Sequence, residues 1–173
     1  MKPRVIKNFI DEYTIEQLNK WTMGNYTNEF FKDANMGIPG TRLTTRYSHN
    51  FEFPHIAYKI KEKIISTLGI KFQEPDYKDG MVNGIGFEGG SIFEHIDPVW
   101  YPDTYTVHCN IISQKSTSGG ITYIEGVPYE TDPADLLIYP VSSLSHYVDE
   151  IKGSIPRILW VFGFSVNDET KIY

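Results

Sequence analysis

The chain has 173 residues, 40% of them hydrophobic and 22% charged, which is the composition of one globular domain with a sizeable core. The chain has 16 basic and 22 acidic residues, which gives a net charge of −6. This charge and the lack of a cluster of basic residues argue against a nucleic-acid-binding protein. The single cysteine excludes an internal disulfide and a cysteine-based zinc site. With no signal-peptide pattern and no apolar run of bilayer length, we expect a cytoplasmic protein without a membrane partner.

Two helices are predicted within about residues 1–70. The stretch "TIEQLNKWTM" begins with Thr14 as a suitable N-cap residue, and Gln17 follows at the capping-box position. In "FPHIAYKIKEKIISTLGI", apolar residues recur every fourth position from Ile56, and Gly69 is a suitable stop. An amphipathic helix of this kind packs one face on a sheet.

From about residue 71 to 167 the sequence changes to short apolar or alternating runs separated by Gly, Pro, Asp and Ser. The runs are "MVNGIGF", "SIFEHID", "YTVHCNIIS", "GITYIEG", "DLLIYP", "SHYVDEI" and "RILWVFGFSV". Seven or eight short strands joined by turns are typical of a sandwich or barrel, and "TRLTTRYS" between the helices adds one more strand. We predict one domain over residues 1–173, mainly β, with N-terminal helices flanking a jelly roll (a double-stranded β-helix).

Two polar residues, His95 and Asp97, stand in the strand "SIFEHID". Residues i and i+2 of a strand share a face, so the imidazole and the carboxylate lie side by side. A surface ion pair is the commoner explanation for such a pair taken alone. With His146 from a distant strand, however, the set becomes two imidazoles and one carboxylate, the facial triad of non-haem Fe(II) oxygenases. The triad leaves coordination positions open for a co-substrate and O₂.

Arg157 lies eleven residues after His146 and opens an otherwise apolar strand. A guanidinium in such a strand is costly unless an anion meets it, and arginine suits bidentate recognition of a carboxylate. A dicarboxylate that chelates the metal at one end would pair with Arg157 at the other.

These motifs, in this order, resemble the Fe(II)/2-oxoglutarate-dependent dioxygenases, specifically the small prolyl-hydroxylase-like branch, over about residues 81–166. The matching stretches are "FEGGSIFEHID", the Gly-Gly-x-Thr hairpin "SGGITYIEG", "DLLIYP", and "HYVDEIKGSIPRILWVFGF". The resemblance implies a hydroxylase that uses Fe(II), 2-oxoglutarate and O₂, with ascorbate in support, and releases succinate and CO₂. It also implies that His95, Asp97 and His146 hold the iron and that Arg157 pairs with the distal carboxylate of 2-oxoglutarate.

The second contact to 2-oxoglutarate departs from the pattern of these relatives. Asn110 stands on the strand where relatives often carry a tyrosine that helps to hold the co-substrate. His108 and Thr122 are the candidate replacements. His108 shares a strand face with Asn110, and it either lines the pocket or is a satisfied polar group of the core.

Substrate contacts are expected around the mouth of the roll. The loop "DPVWYPDTY" follows Asp97 directly, and its Trp100, Tyr101 and Tyr105 either contact a substrate or pack on the protein itself. Arg42 is a candidate partner for a substrate carboxylate, although a solvated or ion-paired arginine is commoner. The expected substrate is a small molecule, an amino acid or a peptidyl residue. The alternative is a jelly-roll module that binds a metal or ligand without catalysis.

Overall fold

The computed structural model describes residues 2–34, 36–46, 52–70 and 80–167. Within these ranges the chain forms two helices and eleven strands. The helices are α1 (Glu12–Asn25) and α2 (His55–Leu68). The strands are β1 (Arg4–Ile6), β2 (Lys32–Asp33), β3 (Arg42–Arg46), β4 (Met81–Gly86), β5 (Ile92–His95), β6 (Tyr105–Gln114), β7 (Thr122–Ile124), β8 (Val127–Tyr129), β9 (Leu136–Pro140), β10 (His146–Val148) and β11 (Arg157–Val166). Neither helix is long and apolar enough to cross a membrane.

The strands form two antiparallel sheets. The large sheet has the order β1-β9-β6-β11-β4-β3-β2, and the small sheet has the order β5-β10-β7-β8. The two sheets meet where Ile124 of the small sheet packs against Leu137 and Tyr139 of the large one. This arrangement confirms the predicted mainly β fold with two N-terminal helices. Strands β1, β2 and β8 were not predicted, because segments of two or three residues are too short to show an alternating pattern.

Helix α2 ends as predicted, whereas helix α1 begins earlier than predicted. Gly69 follows α2 in the left-handed conformation (φ 62°), which glycine adopts without a Cβ penalty. The prediction of Thr14 as N-cap of α1 is wrong. Asp11 is the N-cap, and its carboxylate accepts a hydrogen bond from the Thr14 backbone N–H at 2.8 Å, so Thr14 lies inside the first turn.

The large sheet has two chemically different faces. Along β11, Trp160 and Phe162 point to the helices and are fully buried in the main core. The Trp160 ring lies 5.4 Å from the ring of Trp21 in α1, measured between centroids. The alternate residues of the same strand, Arg157 and Leu159, point to the small sheet and line a cavity. We call this second face the inner face.

The buried carboxylate of Asp135 connects the residues after β1 to the turn that precedes β9 through hydrogen bonds. The side chain of Asp135 is 1% exposed. It accepts hydrogen bonds from the backbone N–H groups of Asn8 (3.1 Å) and Asp132 (2.9 Å) and from Lys7 Nζ (2.6 Å). Burial alone would raise the pKa of Asp135, but the hydrogen bonds from Lys7 and from the backbone outweigh it and lower the pKa.

We expect Asp135→Ala to lower the free energy of unfolding by about 1–3 kcal/mol, because the backbone N–H groups of Asn8 and Asp132 and the Lys7 ammonium lose their acceptor. Asp132→Ala is the matched control and should lower the free energy of unfolding by less than about 1 kcal/mol, since this exposed side chain makes only a surface ion pair.

The contribution of Asp135 to stability should depend on pH. Because the folded pKa of Asp135 is lowered, the stabilisation by its carboxylate is present above the ordinary aspartate pKa and is lost as pH falls through the folded value. Urea titrations of the wild type and the two variants over a range of pH measure these differences in the free energy of unfolding. Equal destabilisation by Asp135→Ala and Asp132→Ala would contradict the stabilising role of Asp135.

Candidate metal centre

Two neighbouring strands of the small sheet bring the three predicted metal ligands together. His95 at the end of β5 lies directly opposite His146 at the start of β10 in the antiparallel register. Asp97 follows β5, and its backbone N–H donates to the carbonyl of Val141 at 2.9 Å. One potential ligand atom from each of the three side chains lies within 4.8 Å of the others. Asp97 Oδ1 is 3.5 Å from His95 Nε2, and Asp97 Oδ2 is 3.7 Å from His146 Nε2.

Local hydrogen bonds select the tautomer of both histidines. His95 Nδ1 donates to the Phe93 carbonyl at 2.8 Å, and His146 Nδ1 donates to the Leu144 carbonyl at 3.1 Å. A carbonyl only accepts, so Nδ1 carries the proton and Nε2 of the neutral ring keeps its lone pair. Both lone pairs lie beside the Asp97 carboxylate. A ring held through its other nitrogen is the usual arrangement for a metal-bound histidine, so the donor set fits a divalent cation.

The charges at the site are those of a carboxylate among imidazoles. When His95 is protonated, its ring donates a hydrogen bond to Asp97, which raises the pKa of His95, whereas burial lowers the pKa of His146. Burial alone would raise the pKa of Asp97, but the hydrogen bond from protonated His95 and the neighbouring imidazoles outweigh it and lower the pKa. Asp97 is therefore ionised at neutral pH and is ready to act as an anionic ligand.

His108 is a third imidazole at the same carboxylate. Its Nε2 lies 3.9 Å from Asp97 Oδ2. Burial lowers the pKa of His108 to about 4, so the ring is neutral at physiological pH. His108 nevertheless lies outside the close group that His95, Asp97 and His146 form among the described residues.

The metal ligands and Arg157 line one cavity of about 860 Å³ between the two sheets. Five of the other residues that the sequence indicates line the same cavity: Arg42, Trp100, His108, Asn110 and Thr122. Tyr101 and Tyr105 are not among the lining residues. The Tyr101 carbonyl accepts a hydrogen bond from the Thr104 hydroxyl at 2.7 Å, which closes the loop locally.

Arg157 is a buried cation that lacks an anion. Its side chain is 6% exposed, and it forms no ion pair with any carboxylate of the described residues. Nη2 donates to the Thr122 hydroxyl at 3.1 Å, while the buried Nε has no hydrogen-bond partner there. Burial lowers the pKa of Arg157 to about 10, so the guanidinium remains charged at neutral pH. An uncompensated buried charge indicates a binding site for an anion.

Tyr139 completes this wall of the cavity, and sequence reasoning missed it. Its phenol oxygen accepts a hydrogen bond from Asn110 Nδ2 at 3.2 Å, and its ring packs edge-on against His146 at 5.3 Å between centroids. Burial raises the pKa of Tyr139, so the hydroxyl stays protonated and can donate into the cavity. The available signal was the lone aromatic in "DLLIYP", which the strand register places opposite His108.

No family model and no curated protein matches this sequence. Solved structures, in contrast, match almost the whole chain. A prolyl hydroxylase from Trichoplax adhaerens, in complex with a peptide fragment of the hypoxia inducible factor oxygen degradation domain, has a TM-score of 0.73 at 13% identity, over 98% of this chain and 84% of that one. The viral collagen prolyl hydroxylase of Paramecium Bursaria Chlorella virus-1, in a complex with 2-oxoglutarate, has a TM-score of 0.70 at 11% identity, over 95% and 96%.

A third match is an oxidoreductase of the 2OG-Fe(II) oxygenase family from Burkholderia pseudomallei, with a TM-score of 0.65 at 9% identity, over 96% of this chain and 84% of that one. The chain has the fold of the Fe(II)/2-oxoglutarate-dependent dioxygenases. The predicted jelly roll and the resemblance to this class of fold are thus confirmed. His95 and His146 lie on the strands that the sequence motifs indicated, whereas Asp97 lies two residues beyond the end of β5.

We expect the protein to bind one Fe(II) or Mn(II) ion under anaerobic conditions. His146→Ala and Asp97→Ala each remove a ligand, so each should weaken binding by more than the roughly 10- to 100-fold that loss of an outer-shell partner causes. His108→Ala is the control from the same cavity and should weaken binding by less than about tenfold, the low end of the same range. Calorimetric titration measures all four proteins. If His108→Ala loses the metal as completely as His146→Ala does, the assignment of three ligands is wrong.

Proposed function

We propose that the protein is an Fe(II)- and 2-oxoglutarate-dependent oxygenase that hydroxylates a small molecule, an amino acid or a peptidyl residue. One observation carries the proposal: a two-histidine, one-carboxylate group and a buried arginine without an anion line the same cavity. The first fits a divalent iron, and the second fits the far end of a dicarboxylate.

His95, Asp97 and His146 would hold the iron through Nε2, a carboxylate oxygen and Nε2. Three protein ligands leave room for both 2-oxoglutarate and O₂ at the metal. With O₂ as the oxidant, the bound iron would couple oxidation of 2-oxoglutarate to oxidation of the substrate: one oxygen atom would enter succinate as CO₂ leaves, and the other would be inserted into a C–H bond of the substrate. The protein contributes binding, orientation and exclusion of water.

Arg157 would bind the distal carboxylate of 2-oxoglutarate. Its hydrogen bond to Thr122 holds the guanidinium in place, and the unpaired Nε faces no competing protein acceptor among the described residues. The Tyr139 hydroxyl, which is held by Asn110, can donate a further hydrogen bond to the same carboxylate. Asn110 would thus contribute by holding the Tyr139 hydroxyl in place. The Tyr139 hydroxyl on β9 would take the role of the tyrosine hydroxyl that relatives often carry on the strand corresponding to β6.

Apolar side chains of the inner face line the cavity beside these polar groups. Val82, Leu159 and Val161 form one small cluster in the wall. Because they offer no hydrogen bonds to water, they strengthen the charge interactions nearby and limit side reactions. At the mouth, Trp100 is 40% exposed and lies over Gly163, where a Cβ atom would fall 2.5 Å from the indole. This position supports Trp100 as the aromatic residue of its loop that would contact a substrate.

Two of the matched structures are named for peptide-type substrates, a hypoxia inducible factor fragment and collagen. For this chain we propose a substrate that reaches the metal through the mouth beside Trp100. The cavity of about 860 Å³ has room for 2-oxoglutarate and a small molecule or one side chain.

Purified protein with Fe(II), ascorbate and 2-oxoglutarate should form succinate, slowly alone and faster with a substrate from a broad panel. We expect Arg157→Lys to raise the KM for 2-oxoglutarate by about tenfold or more, because the bidentate contact is lost. Tyr139→Phe should raise it by a few-fold, through loss of one hydrogen bond. Arg4→Lys, at the far edge of the large sheet, is the control.

Succinate quantified against 2-oxoglutarate concentration gives the KM values of all four proteins. An unchanged KM in Arg157→Lys would show that another group binds the distal carboxylate. Protein that binds Fe(II) but forms no succinate with any member of the panel would contradict the proposed activity.

A further inference from the structure

Arg42 is a second guanidinium in the cavity that lacks an anionic partner among the described residues, since it forms no ion pair with their carboxylates. Within the same part of the chain, its Nη1 donates a hydrogen bond to the sulfur of Met36 at 3.4 Å, and sulfur is a weak acceptor. The side chain is half-buried. Burial lowers the pKa of Arg42 to about 10, so the guanidinium is charged at neutral pH.

The strand register fixes where Arg42 lies relative to Arg157. Both residues pair with Gly86, Arg42 from β3 on one side and Arg157 from β11 on the other. The two arginines therefore stand in one row on the inner face, with backbones roughly 10 Å apart across the glycine. A side chain on Gly86 would collide with Ile151, since its Cβ would lie 2.5 Å from Cδ1.

The carboxylates around the cavity do not neutralise Arg42. Asp97 is the interior carboxylate whose charge acts on Arg42, and it is a ligand in the proposed iron site. Glu29 and Asp33 also line the cavity, and Asp33 accepts a hydrogen bond from the Gly40 N–H at 2.7 Å. Arg46, four residues along β3, adds a further positive charge.

We infer that the substrate carries a carboxylate that binds Arg42. The inference rests on the proposed function, in which one carboxylate of 2-oxoglutarate goes to the metal and the other to Arg157. Arg42 then remains as a half-buried cation in the cavity wall with no carboxylate partner among the described residues. A planar guanidinium suits bidentate pairing with a carboxylate, so the structure favours a free amino acid or a related small acid over a neutral substrate.

The test compares acids with their amides on protein loaded with Mn(II) and 2-oxoglutarate under anaerobic conditions. The probes are free L-amino acids, L-proline and L-glutamate among them, each beside its α-carboxamide, and an amidated prolyl peptide with one glutamate side chain. Calorimetry gives the Kd of every probe for wild type, Arg42→Gln, Arg42→Lys and the control Arg4→Gln, which removes the same charge at the far sheet edge. The same acid–amide pairs are measured on metal-free protein.

We expect at least one acid to bind wild type and Arg4→Gln about tenfold or more tightly than its amide. Arg42→Gln should abolish this difference, because the charge-assisted pair with the substrate carboxylate is lost. Since Arg42 does not bind 2-oxoglutarate in this proposal, the variant should keep the Kd for 2-oxoglutarate within about twofold of wild type. Arg42→Lys keeps the charge and should retain part of the preference, which guards against misfolding of the glutamine variant. Binding of the glutamate peptide but of no free acid would assign the carboxylate to a peptide side chain.

Three results would overturn the inference. The first is that amides bind as tightly as their acids, and the second is that no carboxylate probe binds the loaded protein. The third is that Arg42→Gln weakens the binding of 2-oxoglutarate as much as Arg157→Lys does. Failure of the protein to bind metal or 2-oxoglutarate contradicts the proposed function instead. In that case the acid–amide comparison on metal-free protein still decides whether Arg42 binds a carboxylate.

Discussion

The central constraint in this structure is the burial of the Arg157 guanidinium without an anionic partner in the part of the chain that the structure describes. Arg157 stands at the start of β11, the strand that pairs with both β4 and β6 near the middle of the large sheet. On the opposite face of the same strand, Trp160 and Phe162 are fully buried against the helices. The core therefore holds β11 rigidly and keeps a positive charge in a place where water does not solvate it. Such a charge costs free energy until an anion binds, and that cost favours anion binding.

The metal site is built from local geometry repeated on two strands. Each histidine donates Nδ1–H to the carbonyl of the residue two positions before it, Phe93 for His95 and Leu144 for His146. The strand pairing then sets the two rings opposite each other with centroids 4.3 Å apart. Neither hydrogen bond requires a distant residue, so short segments orient the ligands and the pairing of β5 with β10 supplies the site.

The sequence allowed prediction of the features that depend on residue order and local period. Alternating apolar residues and turn residues indicated most strands of the two sheets. Apolar residues at every fourth position, followed by Gly69, indicated α2. The His-x-Asp pair, the distant His146 and Arg157 could be connected because they share a strand face or a motif order.

Features that depend on pairing between distant strands could not be predicted. Tyr139 lies beside Asn110 and His108 only because β9 pairs with β6 in this register. Arg42 shares a row with Arg157 because both strands pair with Gly86. Local sequence also failed where two caps compete, since Asp11 takes the role that Thr14 was expected to have. Tyr101 and Tyr105 follow a promising motif, yet the loop turns them away from the lining of the cavity.

The most direct test of the central claim is a crystal structure of the protein with Mn(II) and 2-oxoglutarate, with the metal located by anomalous scattering. The account predicts one metal bonded to His95 Nε2, His146 Nε2 and Asp97, and the distal carboxylate of 2-oxoglutarate on Arg157. A metal at another site, or 2-oxoglutarate with its distal carboxylate away from Arg157, would contradict it.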